Sequence, residues 1–173
     1  MLKRMRFPAW AVLVGLLIGG QAALAVEREG SAEVTVVAVS DGDTAWVLLN
    51  GERQRVRLAS VDAPEKGQAF GRRAEQSLRE LILKKTVSIH WSGLDRYGRI
   101  VATVAVGQVD VGAEQVRRGM AWVYRAYSKD PGLLALENEA RESRRGLWAD
   151  PQAVAPWNWR SARPEREIVR WVE

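Results

Sequence analysis

Three short segments hold most of the residues able to do chemistry. Arg57-Leu58-Ala59-Ser60-Val61-Asp62-Ala63-Pro64-Glu65 joins an arginine to two carboxylates through a proline turn, with Asp41-Gly42-Asp43-Thr44 upstream and Asp95-Arg96-Tyr97-Gly98-Arg99 downstream. Carboxylate oxygens are hard donors that suit a hard cation, and the planar fork of an arginine grips two phosphate oxygens at once. Together they are equipment for handling a phosphodiester through a metal ion. Each segment alone has a plainer reading: a hairpin turn with solvated carboxylates, a polar loop, and a charged turn entering a strand. An EF-hand counted from Asp41 fails, because Trp46 stands where its sixth residue must be glycine, although Glu52 falls twelfth. A cation site here has to be assembled from separate segments.

Composition narrows the chemistry further. There is no cysteine, so thiolate metal sites and disulfides are excluded, and His90 is the only histidine, which leaves little for a zinc site or a Ser-His-Asp triad. Hydrolysis would have to be built from carboxylates, arginines and a hard ion. Lys3, Arg4 and Arg6, the apolar run from Ala9 to Gly20, and the pattern Ala23-Leu24-Ala25 have the form of a secretory signal peptide (residues 1–25) cleaved after Ala25. Gly19-Gly20-Gln21 interrupts that run before the ~20 apolar residues a spanning helix needs. A secreted or periplasmic location is expected. Removing the leader takes three of the 26 basic residues and none of the 21 acidic ones, so the net charge falls from +5 to +2. Overall charge therefore supports a nucleic-acid partner only weakly.

The remaining pattern says what positions the three segments. Residues 26–32 are polar and read as a flexible mature N-terminus. Strands are expected over 33–39, 45–49 and 53–61, joined by Ser40 to Thr44 and by Asn50-Gly51. In the third, Val56 and Leu58 point one way and Arg55, Arg57 and Ala59 the other. Asp62 has the opposite parity to Arg57, so the two converge only if the chain bends after Val61, where Pro64 restricts itself and Ala63. Helical spacing over 68–83 places Phe70, Ala74, Leu78, Leu81 and Ile82 on one face. Strands follow over 86–91 and 98–106, then a helix over 111–118, a short extended piece at 121–124 and a helix from Pro131 to Arg145. The Trp- and Pro-containing tail, 149–173, is expected to be irregular and draped over the domain. The fold class is α+β, mainly β: a five-stranded barrel of the oligonucleotide-binding (OB-fold) type with about three helices.

The three segments, in this order and with a helix between the second and third, resemble the staphylococcal nuclease (thermonuclease) family over about residues 33–148. The resemblance implies that Asp43, Asp62 and the backbone carbonyl of Ala63 hold Ca2+, with Asp41 nearby and indirect. The family often has threonine where Ala63 stands. It implies catalytic roles for Arg57, Arg99 and Glu65, and contacts to substrate from Arg96, Tyr97 and Tyr127. Arg125 replaces a further tyrosine, and the loop from Lys66 to Ala69 is shorter than in the best-known member. Pro156-Trp157-Asn158-Trp159-Arg160 is similar to an ending in bacterial relatives and is read as packing on the barrel. The implied function is calcium-dependent hydrolysis of DNA or RNA by an endonuclease leaving 3′-phosphate ends; no stable protein partner is implied, and a monomer is the default expectation. The rival is a non-catalytic OB-fold module of the cell envelope that binds nucleic acid or protein. Against it stands the complete set of Asp43, Arg57, Asp62, Glu65 and Arg99. A calcium-binding structural domain would leave the arginines without a task.

Overall fold

Alternating β-branched residues separated by short turns build the barrel in the computed structural model, which describes residues 29–162. The leader and residues 163–173 lie outside the described residues. β1 (Gly30–Val39), β2 (Thr44–Leu49) and β3 (Glu52–Leu58) form a meander. Asn50 and Gly51, both at positive φ, make the tight turn between β2 and β3. β4 (Val61–Asp62) is short; β5 (Thr86–Leu94), β6 (Ile100–Val106) and β7 (Val109–Asp110) complete the sheet in the order β3-β2-β1-β5-β6-β7. Parallel pairing of β3 with β6, through Val56 and Ile100, Arg57 and Val101, Leu58 and Ala102, closes it. The result is a mainly β, OB-type barrel of five long strands. Inward residues such as Val34, Val36, Val47, Val56, Leu58, Val87, Ile89 and Ile100 are almost wholly buried. Each such side chain contributes up to about 1.5–3 kcal/mol, in a chain with no disulfide to help.

Helices cover the barrel: α1 (Gly71–Ile82), α2 (Val111–Arg117), α3 (Pro131–Glu142) and α4 (Pro156–Ser161), with a 3-10 turn at Gly146–Ala149. Asp110 caps α2 by accepting from the Ala113 amide, and Asp130 caps α3 by accepting from Gly132 and Leu133, with Pro131 in the first turn. β8 (Trp122–Val123) pairs with β4 in a separate two-stranded sheet.

Four expectations need correction. Gly30 to Ala32 are paired with Ile89 to Trp91, so the stretch expected to be flexible over 26–32 is strand from Gly30 onward. β3 stops at Leu58, and the bend falls at Ala59-Ser60, before Val61, because Ser60 takes a left-handed φ of 66°. The first helix starts at Gly71 instead of 68, since Phe70 is also left-handed. The tail is not wholly irregular: Pro156 opens a fourth helix.

Candidate active site

The bend at Ala59-Ser60 wraps backbone carbonyls around Arg57. Its Nη1 donates to the carbonyls of Leu58 and Val61, at 3.1 and 3.0 Å, so the guanidinium and the bend fix each other. Its Nη2 donates to Asp62 Oδ1 at 2.8 Å and lies 3.3 Å from Asp43 Oδ2. One nitrogen thus gathers carboxylates from two segments, and the parity conflict between Arg57 and Asp62 is resolved. Pairing of Asp62 with Trp122 across β4 and β8 holds the strand in place, and the Asp62 side chain is 1% exposed.

Asp41 to Asp43 form a tight loop against this centre. The Asp43 amide donates to Asp41 Oδ1, Asp43 Oδ1 accepts from Thr44 Oγ1 at 2.9 Å, and Asp43 Oδ2 accepts from the Ala63 amide at 3.1 Å. Gly42 is required by crowding, since a Cβ there would lie 2.6 Å from those of both Ala63 and Ala74. Buried Gln115 on α2 donates to the Gly42 carbonyl at 2.8 Å and anchors the loop. Burial, and then the charge of Asp43, push the Asp41 carboxyl up to about 6. Burial also raises Asp62; hydrogen bonding from Arg160 opposes this, Asp43 adds to it, and the charges of Arg57 and Arg160 pull it back.

Glu65 follows the Pro64 turn. Its amide donates to Gln68 Oε1, and its carbonyl accepts from the Gln68 amide. Gly71 allows this, because a Cβ there would lie 2.2 Å from the Glu65 carbonyl oxygen. Arg99 is held by Asp95 Oδ2 at 2.7 Å and reaches Thr44 Oγ1 at 3.4 Å, so it approaches Asp43 through that hydroxyl. Arg96 and Arg99 both lie over the ring of Tyr97, which is 58% exposed. Tyr127, 77% exposed, meets Tyr124 edge to face, and Arg57 lies over the Tyr124 ring. Arg96 and Tyr97 thus adjoin Arg99, and Tyr127 adjoins Arg57 through Tyr124. Arg125 does not join them; it pairs with buried Glu137.

Sequence reasoning missed Arg160. Read as part of a packing tail, it instead enters the carboxylate cluster: Nη2 lies 2.8 Å from Asp62 Oδ2, and Nη1 lies 3.2 Å from Asp62 Oδ1 and 2.6 Å from Glu65 Oε1. The signal available was Pro156 as a helix opener, followed by Trp157 and Arg160 three apart on one helical face.

The donor set fits a hard cation. Among the described residues no three carboxylate or histidine side chains are grouped to hold a metal by themselves. Asp43 and Asp62 bring two carboxylates to 3.3 and 2.8 Å from one Arg57 nitrogen, and carboxylate oxygens are donors that a hard cation takes. Burial is the largest cause of both raised carboxyls, and the charge of Asp43 adds to each.

Residues 55–150 match the family described as staphylococcal nuclease homologue. The chain is 46% identical over 136 residues to Protein ParB of Escherichia coli, covering 72% of this chain and 77% of that one. It is 46% identical over 138 residues to a micrococcal nuclease of Shigella flexneri, covering 73% and 79%. Over 126 residues it is 46% identical to an uncharacterized endonuclease of Escherichia coli, covering 72% and 82%. Identity of this degree, over a barrel whose arginines and carboxylates meet along one edge, makes the chain a member of the staphylococcal nuclease family.

Proposed function

We propose that the protein is a calcium-dependent endonuclease that hydrolyses DNA or RNA and leaves 3′-phosphate ends, working outside the cytoplasm. The observation that carries the reading is the contact of one guanidinium, Arg57, with Asp43 and Asp62, together with Arg99 arriving through Thr44. When bound at Asp43, Asp62 and the Ala63 carbonyl, calcium would neutralise charge on a non-bridging phosphate oxygen. Glu65 accepts a proton from the attacking water as its oxygen bonds to phosphorus, and the bond from phosphorus to the 5′-oxygen breaks, with solvent protonating the leaving alkoxide. Arg57 and Arg99 bind the dianionic transition state more strongly than the monoanionic diester, and that difference lowers the barrier. Tyr97, Tyr127 and Arg96 offer stacking faces and a charge to the flanking nucleotides.

The test is incubation of the protein with single-stranded DNA and with RNA, in calcium or in excess chelator, followed by analysis of product ends. Cleavage only with calcium, and ends that a phosphatase converts to 3′-hydroxyls, are expected. Arg57→Ala, Arg99→Ala and Glu65→Gln should each stay folded and lose about 100- to 1,000-fold in kcat, roughly 2.7–4 kcal/mol of barrier. Full activity in chelator removes calcium from the mechanism. Binding of nucleic acid without any cleavage would favour the OB-fold binding module instead.

A further inference from the structure

Arg160 is contributed from the far end of the chain, 95 positions beyond Glu65, yet it touches two of the carboxylates on which the nuclease reading depends. We propose that Arg160 is a positioning residue of the active site, its guanidinium fixing Asp62 and Glu65 relative to each other; this rests on the nuclease reading above. A carboxylate has two oxygens. Holding Glu65 by Oε1 orients the group while its second oxygen serves the proton transfer.

The helix that carries Arg160 is anchored by contacts independent of the ion pair. Trp157 stacks on Tyr124 with the ring planes 4° apart and meets Trp122 edge to face. Upstream of α4, the Val154 carbonyl accepts from Gln68 Nε2 at 2.6 Å, and the same Gln68 side chain accepts from the Glu65 amide. One buried glutamine therefore ties the tail to the turn that presents Glu65. The stacked pair of Trp157 and Tyr124 in turn places the helix beside Arg57, which lies over the Tyr124 ring. A guanidinium delivered by a docked helix is preorganised, and its fork matches a bridge between two carboxylates.

Stability is a poor explanation for the Glu65 arm, where Arg160 is 42% and Glu65 37% exposed and ion pairs open to water contribute little to folding. Asp62 is 1% exposed, but it keeps the Arg57 guanidinium when Arg160 is removed. Outer partners that orient metal-binding and proton-accepting groups, by contrast, typically matter about 10–100-fold for metal affinity or activity.

The experiment compares the full chain with Arg160→Ala and Arg160→Lys. It measures kcat and KM on single-stranded DNA, calcium affinity by isothermal titration calorimetry without nucleic acid, and the thermal midpoint. In Arg160→Ala, kcat should fall about 10–100-fold with KM little changed, and calcium should bind more weakly while the midpoint hardly moves. Arg160→Lys should recover part of the loss. Unchanged kcat and calcium affinity would overturn the proposal. So would tighter calcium binding with faster cleavage, which makes the guanidinium an occupant of the cation's place, or a rise in KM alone, which makes it a substrate contact. If the unaltered protein cleaves nothing, the nuclease reading fails, and the calcium titration still reports whether Arg160 holds Asp62.

Discussion

Asp95 binds its own turn three times. Oδ1 accepts from the amides of Tyr97 and Arg99, and Oδ2 accepts from Arg99 Nε. Burial alone would raise its carboxyl, but these bonds outweigh burial and hold it below its ordinary value. A carboxyl depressed in the folded state contributes stability that is present above the unfolded value of 3.8 and lost as pH falls through the folded one. Acid should therefore release Arg99 and Tyr97 together. Asp95→Ala is expected to cost roughly 1 kcal/mol of stability at neutral pH, since the group is near the surface. Loss of Arg99's aim should lower kcat by up to about 100-fold. Thermal midpoints measured from pH 7 down to pH 3 should begin to converge between the two proteins below about pH 3.8, where the unfolded chain takes up the Asp95 proton first. A gap that stays constant across that range would show that the Asp95 charge is not what stabilises the turn.

At the scale of elements, the Asp41 to Asp43 loop depends on a side chain outside the carboxylate cluster. Gln115, fully buried on α2, donates to the carbonyls of Gly42 and Ala74 and accepts from Ser77 Oγ, so it locks the Asp41 to Asp43 loop to α1. Gln115→Leu keeps the volume but leaves these groups without that partner. About 3 kcal/mol of stability should be lost, at roughly 1–3 kcal/mol for each unsatisfied buried group. Urea unfolding measures it, and calcium affinity should fall alongside because Asp43 loses its fixed loop. The sequence did not mark Gln115, because a glutamine on a short helix usually faces water. Ser60 was missed for a related reason: left-handed backbone at a serine has no sequence signature, so the bend was placed at the proline that follows. The long strands were legible because their inward residues alternate with period two, and the Arg57 parity argument required some bend even though it misplaced it. Arg160 was not legible as a site residue, since its partners lie 95 and 98 positions away and only a folded tail brings them together.

For the molecule as a whole, a net charge of +5 is less informative than its distribution. Arg53, Arg55 and Arg57 alternate along the outer face of β3, opposite Leu48, Trp46 and Thr44 on β2. Arg53 and Arg55 lie over the Trp46 ring at 5.2 and 5.6 Å, and Arg55 Nη2 reaches the Tyr97 carbonyl. Arg96 and Arg99 continue this strip on the neighbouring turn. Alternate residues on a strand are about 7 Å apart, close to the step of one nucleotide in an extended single strand. Guanidiniums resting on an indole have lost part of their freedom beforehand, which favours phosphate contact without demanding any sequence. Each phosphate contact to a single strand adds about 0.7 to the steepness with which affinity falls with salt, so the Arg53→Ala/Arg55→Ala double variant should lose about 1.4 from that slope. The measurement is oligonucleotide binding in chelator across a range of salt concentrations, which separates affinity from cleavage. Cleavage of a dinucleotide, which carries no phosphate beyond the scissile one, should be unaffected, whereas long single strands should show a raised KM. An unchanged salt slope would mean that the strand leaves the site by another face, and that Trp46 serves only to pack the two arginines.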